Sequence, residues 1–175
     1  MLEVAIEADG EWDSSTGWDE LARAAAAAAI AESAFPQLTT TERTVELSIR
    51  LAGDDEVHAL NSQWRGKDKS TNVLAFPGAA AVPVGTPLPL GDIVLAIGTI
   101  EEEADAQSKK LADHVTHLVI HGTLHLLGYD HDLPSRAKRM ETLETRLLAQ
   151  LRIANPYTPA RRARTARQPE GVAAR

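Results

Sequence analysis

Three histidines fall within eleven residues, in the stretch HGTLHLLGYDH from His121 to His131. Two more, His114 and His117, precede them. On a helix each residue advances about 100°, so His114, His117, His121 and His125 share an arc of roughly 80°. A lone buried histidine is ordinarily a hydrogen-bonded core residue. Four on one stripe point to a site. His117 and His125 lie about 12 Å apart along such a helix, too far to share one ion bound at about 2.0–2.1 Å from each nitrogen. His121 and His125, one turn apart, can share it. Gly128 can adopt the left-handed conformation that ends a helix and turns the chain back, and His131 follows three residues later.

The spacing H-x-x-x-H-x-x-G-x-x-H therefore offers three nitrogen ligands: His121, His125 and His131. Three neutral histidines leave a tetrahedral zinc with one open position, the pattern of a catalytic site. Such a metal lowers the pKa of a bound water to near 7 and polarises a substrate. His117 and His114 are candidates to support the ligands or simply to pack, and His114 reads as packing. Metzincin proteases share the spacing, but carry a glutamate base after the first histidine. Here that position is Gly122, which cannot take a proton.

A second stretch, WRGKDKSTNVLAFP from Trp64 to Pro77, places Arg65, Lys67 and Lys69 within five residues. On its own this reads as a solvated turn. Beside a metal site it reads as a phosphate contact, because the guanidinium fork grips phosphodiesters and lysine adds point charge.

These residues need elements to hold them. The chain has 175 residues, 43% of them hydrophobic, enough for one domain with a real core. It contains no cysteine, which excludes disulfides and thiolate metal sites. The N-terminal residues carry two acids and no early basic residue, unlike a signal peptide. No apolar run reaches the roughly 20 residues of a membrane span, so a soluble cytoplasmic protein is expected. The net charge is −7, unevenly spread: from Pro156 onward there are five arginines and one acid, leaving 13 basic and 24 acidic residues before it. So acidic a body argues against broad, sequence-blind nucleic-acid binding but leaves room for a small basic site.

Periodicity gives strands over 2–8, 43–51, 71–76 and 91–97, the last apolar enough for burial on both faces. A helix over 18–34 carries the alanines 24–29 as scaffold. Asp54 can cap a helix running through Val57, Leu60 and Trp64, with Gly66 at its end. Residues 79–89, rich in proline, form a loop. Thr99 and Glu102 fit a capping box opening a short acidic helix. Ser108 can cap the long histidine helix, running to about Leu127. Pro134 opens a last amphipathic helix to about Ile153, with Met140, Leu143, Leu147, Leu148 and Leu151 inward. The expectation is a single α+β domain over 1–157, with a mixed, mostly four-stranded sheet and about five helices packed on it. An Arg-rich tail, 158–175, is expected to be disordered.

Together, HGTLHLLGYDH, WRGKDKSTNVLAFP, LGDIVLAI after the proline loop and ANPY near the end resemble the YbeY family of bacterial endoribonucleases, the rRNA maturation factors. The resemblance covers most of residues 43–157. It implies one zinc ion on His121, His125 and His131, and a functionally important arginine at Arg65. It also implies metal-dependent cleavage of single-stranded RNA, a role in small-subunit rRNA 3′-end maturation and ribosome quality control, and ribosomal-protein and GTPase partners in the cytoplasm. Arg65 would then hold phosphate and stabilise transition-state charge. The nucleophile stays open between zinc-bound hydroxide and the RNA 2′-hydroxyl, and no base is legible. Asp130 could orient an imidazole or be a plain turn residue, and Asp92 and Asn72 are further candidates. Two rivals remain: a zinc peptidase or amidase with an unrecognised base, and a non-catalytic ribosome assembly factor whose metal only holds the fold.

Overall fold

The computed structural model describes residues 1–79 and 81–157. The Arg-rich segment 158–175 lies outside the described residues. Four strands form one sheet: β1 (Leu2–Ala8), β2 (Val45–Ala52), β3 (Val73–Pro77) and β4 (Leu88–Ala96). Their order is β1-β2-β4-β3, with β1, β2 and β4 parallel and β3 antiparallel along one edge. Five α-helices connect and cover them among the described residues: α1 (Trp18–Glu32), α2 (Asp54–Arg65), α3 (Ile97–Ala106), α4 (Leu111–Leu126) and α5 (Pro134–Gln150). This is the α+β domain expected, with a mixed sheet and the histidines on a long, mostly buried helix.

The main core lies between one sheet face and α1, α4 and α5. Leu47, Ile49 and Leu51 of β2, with Ile93 and Leu95 of β4, meet Val115, Leu118 and Val119 of α4. Ala22, Ala25, Ala26 and Ala29 are buried here, so the alanine run lets α1 pack closely. On the opposite face a smaller cluster joins Val57 of α2 to Leu74, Val94 and Ala96. Alternate residues of β4 thus enter different cores, which explains its continuous apolar run.

Several boundaries shift for local reasons. Strand β4 starts at Leu88, ahead of the expected 91, because Leu88 and Pro89 already pair with Val45 and Glu46 of β2 before the register slips past Leu90. Thr99 does not open α3 but lies inside it, and its backbone N–H donates to Asp54 Oδ1 at 2.9 Å. Asp54 therefore bonds the first turn of α3, while the cap of its own helix is Gly53, without a side-chain bond. Ser108 does not cap α4, for which Lys110 is the N-cap. It takes φ 53° just past α3. Its N–H donates to Asp105 O, and the Lys109 N–H donates to Ala104 O. That pair of bonds closes a Schellman turn. Arg152, with φ 62°, closes α5 the same way and turns the chain back toward the helix.

Leu151, expected inward, is outside, and Trp64 of α2 is outside as well. Trp64 is 65% exposed and Leu151 46%. Trp64 follows the buried stripe of α2, but one turn past Asn61, where nothing further covers that stripe. Leu151 is the C-cap of α5, beyond its packed turns.

Candidate metal centre

Helix α4 carries the centre. Ten of its residues are buried, His114 among them. Gly122 faces β4: a Cβ there would lie 3.1 Å from Ile93 Cγ2. Glycine at this position lets the helix sit close to the sheet, and a larger side chain would be driven into Ile93. At the end of α4, Gly128 takes φ 98° with open space around it, so its backbone conformation is what requires glycine. The turn returns His131 to the helix face.

The ring centroids of His121, His125 and His131 stand 4.6, 4.9 and 5.0 Å apart. One nitrogen from each lies within 4.8 Å of the others, a grouping that could hold a metal ion. His121 Nε2 and His125 Nε2 approach to 3.1 Å. His125 also bonds the Tyr129 backbone. Burial and the neighbouring charges of His121 and His131 push the His125 pKa down to about 4, so it presents a lone pair at neutral pH. His131 is exposed, which opens the centre to solvent on that side.

Behind the three histidines lies a carboxylate that sequence reasoning missed. Glu144 of α5 has no exposed side-chain surface. Its Oε1 accepts from His121 Nδ1 at 2.5 Å and its Oε2 from His117 Nε2 at 3.1 Å. The Tyr157 hydroxyl also donates to Oε2. Desolvation raises the pKa of this group, but the bonds from His117, His121 and Tyr157 outweigh it and hold the carboxyl at about 2. Burial and the Glu144 charge in turn push the Tyr157 hydroxyl far up, keeping it a donor. An ionised Glu144 fixes the His121 proton on Nδ1 and leaves Nε2 free, the carboxylate–histidine arrangement seen behind metal ligands. His117, His121 and Glu144 form a second grouping of possible ligand atoms. The signal was present, since Glu144 sits between Leu143 and Leu147 on an otherwise apolar stripe, but nothing local linked it to His121.

Arg65 ends α2 and reaches across to β3. Its Nη2 donates to Ala75 O at 2.8 Å, and its guanidinium carbon stands 5.6 Å from the Phe76 ring centroid. Arg65, Val73, Ala75, Pro77, His121, Gly122 and His125 line one cavity of about 240 Å³. The two sequence stretches therefore meet at one cleft. Lys67 and Lys69 are exposed and do not line it.

The remaining candidates lie elsewhere. Asp130 accepts from the Asp132 N–H at 3.2 Å and from Arg136 Nη1 at 3.1 Å, so it is a turn residue. Asn72 Nδ2 donates to Glu103 Oε2 at 3.1 Å. Asp92 is exposed on β4 opposite Phe76. His114 is buried, with both ring nitrogens lacking a hydrogen-bond partner. It packs, as expected.

A family model described as endoribonuclease YbeY matches residues 12–152, a span that includes both stretches. The chain belongs to the YbeY family. The endoribonuclease YbeY of Rhizorhabdus wittichii is 46% identical over 165 residues, covering 90% of this chain and 97% of the relative. That of Paramagnetospirillum magneticum is 56% identical over 117 residues, covering 65% of this chain and 71% of the relative. The solution structure of TM1509 from Thermotoga maritima has the same fold, with a TM-score of 0.52 and 23% identity. It covers 86% of this chain and 92% of that one. No helix among the described residues is long and apolar enough to cross a membrane.

Proposed function

We propose that this YbeY-family chain is a zinc-dependent endoribonuclease that cuts single-stranded RNA in the cytoplasm, during small-subunit rRNA 3′-end maturation and ribosome quality control. Ribosomal proteins and an assembly GTPase are its expected partners. The observation that carries the chemistry is the shared cleft: Arg65 lines it together with His121 and His125, two of the three convergent imidazoles.

The donor set suits zinc. It offers three nitrogens with no thiolate, one imidazole held neutral by burial and one oriented by a buried carboxylate. His121, His125 and His131 would be the ligands. Bound there, zinc supplies Lewis acidity and an acidified water at neutral pH. The protein supplies the rest. Arg65, pinned by Ala75 O and Phe76, keeps guanidinium N–H groups for a phosphoryl oxygen and is preorganised for the charge that grows in the transition state. Glu144 holds the His121 proton on Nδ1 throughout. The peptidase reading is weakened by Gly122, which faces Ile93 and leaves no room for a base there.

The test compares wild type, Arg65→Ala and His125→Ala, purified identically, on single-stranded RNA, with zinc content measured for each. The expected result is cleavage by wild type, retained zinc without cleavage in Arg65→Ala, and loss of both in His125→Ala. Equal cleavage by all three would mark a contaminating ribonuclease and sink the reading.

A further inference from the structure

The exposed indole of Trp64 is the feature that the cleft does not use. Trp12 and Trp18 are 4% and 6% exposed and pack edge to face at 5.2 Å within the core. Trp64 is 65% exposed. It precedes Arg65, which lines the cleft, and stands on the last turn of α2, a helix that contacts the edge strand β3. Immediately after it, Gly66 takes φ 66° and turns the chain through Lys67–Lys69. Lys67 and Lys69 are exposed, and the Lys69 N–H donates to Lys67 O at 2.9 Å in a tight turn. The one acid of this turn, Asp68, is engaged by His58 Nε2 at 2.7 Å. In a chain of net charge −7, the surface around Trp64 thus presents three cations and one paired acid.

A flat aromatic face flanked by cations matches single-stranded nucleic acid, whose bases stack on indole while the phosphates meet lysine and arginine. We propose that Trp64 is a base-stacking platform for an RNA nucleotide adjacent to the scissile phosphate, with Lys67 and Lys69 contacting the flanking phosphates. The proposal builds on the RNA-cleaving reading of the cleft. It adds what that cleft lacks: a contact that distinguishes an unpaired strand, with its base faces free, from a duplex, in which they are stacked on one another.

Trp64 also reports on its own occupancy. Trp12 and Trp18 are shielded in the core, so a stacked base quenches mainly Trp64. The experiment titrates the zinc-loaded full chain with a 2′-O-methyl oligoribonucleotide of about 10 nucleotides, which binds as a single strand and resists cleavage. The expected result is strong quenching in wild type. Trp64→Phe loses the quench but stays within about threefold of wild-type affinity by anisotropy, while Trp64→Ala binds about tenfold more weakly, the loss of about one stack. Lys67→Ala and Lys69→Ala each reduce the slope of log affinity against log salt by about 0.7, and the Trp64 variants leave it unchanged. Wild-type fluorescence indifferent to the oligonucleotide, or unaltered affinity in Trp64→Ala, overturns the platform. So does a duplex that binds and quenches equally well. Cleavage of unmodified RNA, measured in parallel, separates the two readings: quenching without cleavage removes only the nuclease reading, and cleavage without quenching removes only the platform.

Discussion

Glu144 shows how much one side chain can decide. It is a fully buried carboxylate that accepts from two imidazoles and a phenol. Removing its charge while keeping its shape, in Glu144→Gln, leaves the core filled but no longer dictates the His121 tautomer. Zinc affinity, measured by competition with a chromogenic chelator, should fall about 10- to 100-fold, the usual cost of losing such a partner. An affinity unchanged in that variant would mean that His121 orients without it.

His114 carries a separate consequence at the same scale. Burial, with the nearby charges of Lys109 and His117, lowers its pKa to about 4. Glu103 Oε1 approaches its Nε2 only to 3.7 Å. The folded value lies below the unfolded value of about 6.5, so between these the unfolded chain binds more protons. Stability from this group is therefore complete above about pH 6.5 and is lost as pH falls toward 4, by up to ~3 kcal/mol. Urea denaturation at pH 7.5 and 5 should show a smaller loss in His114→Leu than in wild type. Parallel losses in the two would show that His114 does not titrate as described.

At the scale of elements, the α4–Gly128–His131 unit sets the geometry of the three convergent histidines. An alanine at 128 meets no steric obstacle in space, but its backbone must hold φ near 98°. Gly128→Ala should cost about 1–2 kcal/mol and loosen His131 more than His121 or His125. Thermal melts would show a modest drop in Tm, with zinc affinity falling further than that drop alone explains. A variant with native zinc affinity would place the turn's rigidity outside the metal chemistry. Gly122 answers a different constraint. A Cβ there presses on Ile93, which must give way for any larger side chain.

For the whole molecule, the question is whether the metal holds the fold or only uses it. The buried residues of the two apolar clusters include none of His121, His125, His131, Glu144 or Arg65. Glu144 already accepts hydrogen bonds from His117, His121 and Tyr157, so its buried carboxylate is hydrogen-bonded without the metal. Chelation should therefore lower Tm by several degrees through lost binding energy while far-ultraviolet circular dichroism stays native. Unfolding on chelation would instead favour a metal whose role is structural.

The sequence by itself determined a good deal. The alternation in β2, the alanine helix, the continuous apolar run of β4 and the histidine stripe of α4 are local periodic signals, and periodicity is what a single chain displays. The convergence of His121, His125 and His131 was legible for the same reason, since i, i+4 spacing and a glycine turn are short-range geometry. What tertiary structure decided was everything that depends on a partner distant along the chain. Asp54 bonds the first turn of α3 rather than capping its own helix, 45 residues away. Ser108 ends one helix instead of beginning the next, because the Schellman turn of α3 claims it. Trp64 shares the helical phase of buried residues, yet α2 outruns the surface it packs on, and phase says nothing about where that surface stops. Glu144 lies 23 residues from His121 and looked like one more polar residue on an amphipathic helix. Its role exists only because α5 packs across α4. Hydrogen bonds and burial between distant segments carry no period, and so the carboxylate behind the centre, and the cleft that joins Arg65 to the histidines, belong to the fold alone.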